Sequence, residues 1–150
     1  MTNNNWIAPC GLWCGACGIG QAHAQNNDKL KEKLAPIYGC RPEDLVCEGC
    51  RSDVRFAFCQ SCAIRSCADE KGLQGCFLCA DFPCERIEGF AFPAARQVML
   101  RAVPQWRELG TEKWLQAEAA RYSCPQCHAR LMRRQTRCPQ CKQPVSPDQQ

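Results

Sequence analysis

Cys124-Pro125-Gln126-Cys127 and, ten residues later, Cys138-Pro139-Gln140-Cys141 form the stretch on which the fold turns. Each half is a Cys-Pro-x-Cys knuckle. Proline fixes the backbone of the turn, and two thiolates three positions apart fit one tetrahedral metal. Two such knuckles joined by a short hairpin read as a closed, structural zinc ribbon over residues 123–143. A mononuclear iron site uses similar spacing. His128 and Lys142 follow the knuckles directly, where glycine is common. His128 is not counted as a ligand, because four thiolates already complete the tetrahedron.

Working outward, the 150-residue chain holds 16 cysteines. That is about 11%, above the share that marks a cysteine-built scaffold. Without them the apolar inventory is thin for one large core, so cross-links or metals must supply stability. The length excludes large barrel enzymes. The low net charge and the aromatic content exclude a disordered chain. Met1 to Gly20 carries no Lys or Arg, and Cys10, Cys14 and Cys17 interrupt its apolar stretch, so no signal peptide is expected. No apolar run is long enough to span a bilayer, so no membrane partner is expected. A cytoplasmic location follows, and there disulfides are rare. Six Cys-x-x-Cys pairs, 14/17, 47/50, 59/62, 76/79, 124/127 and 138/141, therefore point to metal ligation rather than cross-linking.

The expected fold class is a small metal-stabilised α+β protein: an irregular cysteine-rich domain with a few short helices, followed by the C-terminal zinc ribbon. Residues 1–88 form the cysteine-rich metal-binding domain, 89–122 a helical segment packing on it, 123–143 the ribbon and 144–150 a frayed tail. A helix is expected from Asp28, as N-cap, to Tyr38, with Leu30, Leu34 and Ile37 on one face and Gly39 as the stop. Pro93 suits the first turn of a second helix running through Val98 to Trp106, which Pro104 should kink or end. Thr111 caps a third helix, Glu112 to Tyr122, with Trp114 and Leu115 facing inward. The tryptophans read as core packed against the metal knuckles.

The twelve N-terminal cysteines suit three four-ligand sites. Sequence proximity groups Cys47, Cys50, Cys59 and Cys62, then Cys67, Cys76, Cys79 and Cys84. A third set is Cys10, Cys14 and Cys17, closed by Cys40 or His23. The pattern Cys59-x2-Cys62-x4-Cys67 recurs as Cys76-x2-Cys79-x4-Cys84, which also permits each triplet to take one distant ligand. Cys10-x3-Cys14-x2-Cys17 has the spacing of a radical-SAM cluster, but the chain is too short for the partial barrel that chemistry uses. Thiolates suit zinc and iron–sulfur centres alike.

No acid lies between Arg121 and Pro147, whereas Arg121, Arg130, Arg133, Arg134, Arg137 and Lys142 do. Such a cluster serves either nucleic-acid phosphates or as counter-charge to thiolates. Only Tyr122 lies nearby for base stacking.

Several motifs occur in order: Ala8-Pro9-Cys10-Gly11-Leu12-x-Cys14-x-x-Cys17, Cys47-Glu48-Gly49-Cys50-Arg51-Ser52, Cys59-x-x-Cys62-x-Ile64-Arg65-x-Cys67, and Cys76-x-x-Cys79-x-x-x-Pro83-Cys84. Together they resemble the cysteine-rich domain-of-unknown-function family 3795 of bacteria and archaea. Gly110-Thr111-Glu112-Lys113-Trp114-Leu115 followed by the ribbon resembles its longer members, so the resemblance runs over residues 7–141. It implies a metal-binding domain and no assigned activity.

The function expected is that of a small cytoplasmic metal-binding protein with up to four zinc ions, acting as a non-enzymatic interaction module for a protein partner. The alternative is an iron–sulfur electron carrier or redox sensor, with clusters in the N-terminal region and zinc only in the ribbon. Catalysis finds little support: His23 and His128 are the only histidines, the acids are scattered, and no phosphate loop or nucleophile elbow occurs.

Overall fold

A computed structural model describes residues 4–149. Six α-helices carry them: α1 (Gly18–Ala24), α2 (Asp28–Tyr38), α3 (Ala63–Glu70), α4 (Glu85–Glu88), α5 (Pro93–Leu109) and α6 (Thr111–Arg121). Single 3-10 turns, Cys14–Ala16 and Cys76–Leu78, shape two of the knuckles. In each, the second cysteine's amide donates to the first cysteine's carbonyl, at 3.0 Å for Cys17 and Cys79 alike. The β content of the expected α+β class is confined, among the described residues, to three isolated antiparallel bridges: Ile7 with Trp13, Ser123 with Arg130 and Arg137 with Pro144. Each bridge closes across a cysteine turn. The molecule is thus small and mostly helical. No described helix is long and apolar enough to cross a membrane.

Local sequence explains most helix ends. α2 spans the expected residues, but its N-cap is one residue earlier, where Asn27 Oδ1 accepts the Leu30 amide at 3.1 Å. It stops at Gly39, whose φ of +66° is the left-handed cap that glycine tolerates best. Its inward face differs from the expected stripe. Ile37 is 73% exposed, whereas Ala35 is buried and the Tyr38 ring packs edge-on to Phe56 at 5.4 Å. The packing residues are 34, 35 and 38, one helical face; Ile37 looked right by residue type but lies off it.

α5 is the spine. Pro93 occupies its first turn as expected. Pro104 does not end it: the helix runs on to Leu109. Pro104 and Leu100, whose carbonyl loses its helical partner, both lie on the exposed side, where water can satisfy that carbonyl. Val98, Ala102 and Trp106 face one core, shared with Ile7, Trp13, Trp114, Tyr122, Leu131, Cys124 and Cys138. Met99 faces a second, with Ala8, Cys10, Ile64 and Ile87. A third holds Ile19, Ala35, Leu45, Cys47 and Phe56. Gly11, at φ +89°, lets the first cysteine loop lie against α5; a Cβ there would meet Val103 Cγ2 at 3.0 Å.

The tryptophans are core, as expected. Trp106 stacks between Phe77 at 4.1 Å and Trp114 at 4.4 Å. Thr111 is not the cap of α6; Gly110 holds that position, and Thr111 Oγ1 instead accepts the Trp106 indole N–H at 2.9 Å. The tail expected to fray is anchored through residue 149. Pro147 is buried, Tyr122 donates its hydroxyl to Asp148 Oδ1 at 2.7 Å, and Asp148 Oδ2 accepts the Arg134 amide. Gln150 lies outside the described residues.

Candidate metal centres

Cys124, Cys127, Cys138 and Cys141 come together at the C-terminus. All four sulfurs lie within 4.8 Å of one another, with Cys124 and Cys141 at 3.6 Å and Cys127 and Cys138 at 3.5 Å. Each knuckle is built the same way. The first cysteine exchanges backbone hydrogen bonds across the turn: Cys124 N to Ala129 O at 2.9 Å and His128 N to Cys124 O at 2.8 Å, matched by Cys138 N to Gln143 O at 2.9 Å and Lys142 N to Cys138 O at 3.1 Å. His128 and Lys142 take φ of +62° and +65°. These are the two positions where glycine is common, and the turn imposes the left-handed backbone on a histidine and a lysine instead.

Amide hydrogens aimed at sulfur favour the thiolate. The amides of Cys141 and Gln140 hold the Cys138 thiol down to about 6, and those of Cys127 and Gln126 hold Cys124 below the usual thiol range. The other two go the opposite way: against the amides of Ala129 and Gln143, burial and the neighbouring thiols hold Cys127 above its ordinary value and push Cys141 up to about 12, so four thiolates at this spacing call for a cation between them. The donor set therefore fits a metal ion, with Cys124 and Cys138 on the buried side.

The segment between these knuckles grips the first cysteine motif. Arg133 donates its amide to Ala16 O at 2.9 Å and Nη1 to Trp13 O at 2.7 Å. Burial opposes its charge, yet the nearby Cys17 and Cys14 thiols outweigh that and raise its affinity for the proton. Arg130 lies over the Trp13 ring at 4.7 Å. Gln21 bridges the two regions, its buried amide donating to Gly15 O at 2.9 Å and Leu131 O at 3.0 Å. Arg133→Ala removes the charged donor from the Trp13 carbonyl, which keeps the Ala16 amide at 3.1 Å, so a loss of about 1.5–3 kcal/mol is expected in denaturant unfolding. Arg134→Ala, on an exposed neighbour, should change stability by less than about 0.5 kcal/mol.

The other twelve cysteines are more spread. Among the described residues, no further three Cys, His, Asp or Glu ligand atoms lie within 4.8 Å of one another. Cys67, Cys76, Cys79 and Cys84 line one cavity. Burial and the neighbouring thiols of Cys84, Cys79 and Cys67 push Cys76 up to about 11. Burial, then Cys17, Cys47, Cys50 and Cys62, push Cys59 up to about 12, so the 47/50/59/62 thiols are neighbours, with Cys17 beside them. Cys10 is buried in the second core, where Cys50, Cys62 and Cys76 surround it. Cys14 neighbours Cys17 and Cys50. Cys40 packs with Cys17 against the third core. His23 Nδ1 is buried without a hydrogen-bond partner among the described residues. Proximity in space thus interleaves the Cys10/Cys14/Cys17 and Cys47/Cys50/Cys59/Cys62 sets that sequence proximity keeps apart, with Cys50 between them.

Spacing alone missed the cations that organise these loops. Arg65 is buried and donates to Cys59 O at 2.7 Å and Gln60 O at 2.9 Å, with Nη1 3.9 Å from Cys50 Sγ. An arginine between Ile64 and Ala68 on an inward helical face is the signal that could have found it, since a buried charge needs partners.

The model of one family, described as "Protein of unknown function (DUF3795)", matches residues 6–89. The chain belongs to this family. The match covers all twelve N-terminal cysteines and ends before α5, so the family resemblance holds over 6–89, while the C-terminal quartet lies beyond the matched region. No curated protein and no solved structure matches the chain.

Proposed function

We propose that this is a small, non-enzymatic, multi-site metal-binding protein whose Cys124, Cys127, Cys138 and Cys141 form a zinc ribbon holding one structural zinc ion. The observation that carries it is the convergence of these four sulfurs within 4.8 Å. A zinc–sulfur bond of about 2.3 Å spaces tetrahedral thiolates about 3.8 Å apart, close to the 3.5 and 3.6 Å of the two short pairs. Zinc here would tie the two knuckles together; with four protein ligands it has no open position for substrate. Cys10, Cys14, Cys17, Cys40, Cys47, Cys50, Cys59, Cys62, Cys67, Cys76, Cys79 and Cys84 are the proposed ligands of the remaining metal sites.

The role we infer is an interaction module for a protein partner in the cytoplasm. Phe58 and Phe92, edge-to-face at 5.0 Å and each about half exposed, support it, because exposed aromatic pairs favour protein contacts. Nucleic acid is the weaker reading. Arg130 and Arg133 are turned toward the first cysteine motif, and Arg121 pairs with Glu118, which leaves fewer free cations than the sequence offers.

Cobalt substitution tests the zinc site. The wild type minus Cys127→Ser difference spectrum should show the visible bands of a tetrahedral tetrathiolate ion. A difference spectrum without them would contradict the ribbon.

A further inference from the structure

A second cysteine quartet differs from the first in size. Cys67, Cys76, Cys79 and Cys84 surround a cavity of about 90 Å³. A single water needs roughly 10–15 Å³ by a comparable measure, so this space is several times larger than one ion between four thiolates. Among the described residues, no three of these sulfurs gather within 4.8 Å, unlike those of the C-terminal quartet. An iron–sulfur cube keeps its four thiolates well apart and fills the volume between them with iron and sulfide.

The wall suits such a group. Ile64, Ala68, Leu73 and Phe82 line it, and an apolar shell limits water at a cluster. Lys71 is on the rim, with Nζ 3.5 Å from Cys79 Sγ and 3.1 Å from Asp81 Oδ2. The knuckle is held from behind. Arg107 donates Nε to Phe77 O at 2.8 Å and Nη2 to Cys79 O at 3.0 Å. Cys76 N donates to Pro9 O at 2.8 Å. Gly75 lies so close to α5 that a Cβ would meet Trp106 Cη2 at 2.8 Å.

We propose that Cys67, Cys76, Cys79 and Cys84 bind a cuboidal four-iron, four-sulfide cluster, with Lys71 as a hydrogen-bond donor to the Cys79 ligand. This goes beyond zinc in the C-terminal quartet and does not depend on it. Four thiolates on a cluster in its 2+ state carry a net charge of −2; Lys71 and Arg86 supply positive charge at its edge, offset in part by Asp81, which pairs with Lys71. Hydrogen bonds and cations beside cluster sulfurs favour the reduced, more negative state.

The test is anaerobic purification of the full chain from iron-replete cells, with iron, acid-labile sulfide and zinc counted per chain. Wild type should absorb near ~400 nm. Cys79→Ala should lose about four irons and four sulfides, and Cys138→Ser should keep them. Lys71→Met should keep the cluster but move its reduction potential to a more negative value. That readout needs no ligand substitution and survives any folding defect of Cys79→Ala. A wild type carrying zinc in place of iron at this quartet, or iron and sulfide undiminished in Cys79→Ala, would overturn the cluster site. An unchanged potential in Lys71→Met would overturn the role of Lys71. Zinc that leaves with Cys138→Ser is counted separately, so failure of one site is distinguishable from failure of the other.

Discussion

Removal of the proposed zinc ion from Cys124, Cys127, Cys138 and Cys141 is expected to unfold the C-terminal segment from Tyr122 onward. A structural zinc contributes ~10–16 kcal/mol of apparent binding energy in small zinc modules, comparable with the ~5–15 kcal/mol that stabilises a whole domain. The segment has little else. Its backbone is two bridged knuckles, and its buried apolar side chains are few: Tyr122, Leu131, Pro147 and the two inward cysteines. Those side chains belong to the same core as Trp13, Trp106 and Trp114, so the damage spreads. Without the segment, Trp13 loses the guanidinium stacked on it and one of the two donors on its carbonyl. Chelator titration should therefore expose Trp13, read as a red shift of tryptophan emission, together with proteolysis after Arg121. Unchanged emission and unchanged cleavage in the metal-free chain would contradict this.

The second large effect is expected at Glu118→Ala. Glu118 is wholly buried on α6. Both its oxygens meet Arg101 of α5, one through a short contact and the other at 3.3 Å. Arg121 Nε stands 3.5 Å away. Truncation leaves two inward guanidinium groups with no counter-ion, and breaking one side of a buried pair costs about 3–5 kcal/mol. At this chain length that corresponds to roughly 10 °C in the thermal midpoint. Replacing the pair by Arg101→Met and Glu118→Met together should recover part of the loss, because Arg101 then needs no counter-ion, while Arg121 keeps only the Pro147 carbonyl at 3.5 Å. Scanning calorimetry of the single and double variants measures both. A double variant as unstable as Glu118→Ala would show that packing, not charge, is what Glu118 provides.

The sequence made the covalent grammar of this protein readable. Cys-Pro-x-Cys twice over is a local signal, and the four sulfurs it names are those that converge. Gly39 at the end of α2 and Pro93 at the start of α5 are likewise local, because caps act within one turn, although the N-cap of α2 is Asn27 and not the expected Asp28. What stayed hidden depends on distant partners. Ile37 reads as core by type, but the third core lies beside Ala35 and Tyr38. Pro104 reads as a stop, but tertiary packing of Val103 and Trp106 carries the helix through it. Arg65 and Arg133 find carbonyls 5 to 120 residues away, which no spacing rule reports. The neighbours of Cys10, Cys14 and Cys50 were illegible for the same reason: equal thiols at short intervals leave their grouping to the path of the chain.

Metal loading would also change the electrostatics. The formal net charge is +4 with neutral thiols. Four thiolates on a divalent ion, or on a 2+ cluster, carry −2, so four loaded sites take the chain to about −4. The basic C-terminal segment then faces an acidic body, with Arg133 set among the Cys14 and Cys17 thiols.

The most direct measurement is native mass spectrometry of the anaerobically purified chain beside Cys138→Ser, with free thiols counted on the same samples. The expected result is one zinc ion in wild type that is missing in Cys138→Ser, with Cys124, Cys127 and Cys141 becoming reactive in the variant. A folded wild-type chain without zinc, and with all four C-terminal thiols free, would contradict a metal-built C-terminus.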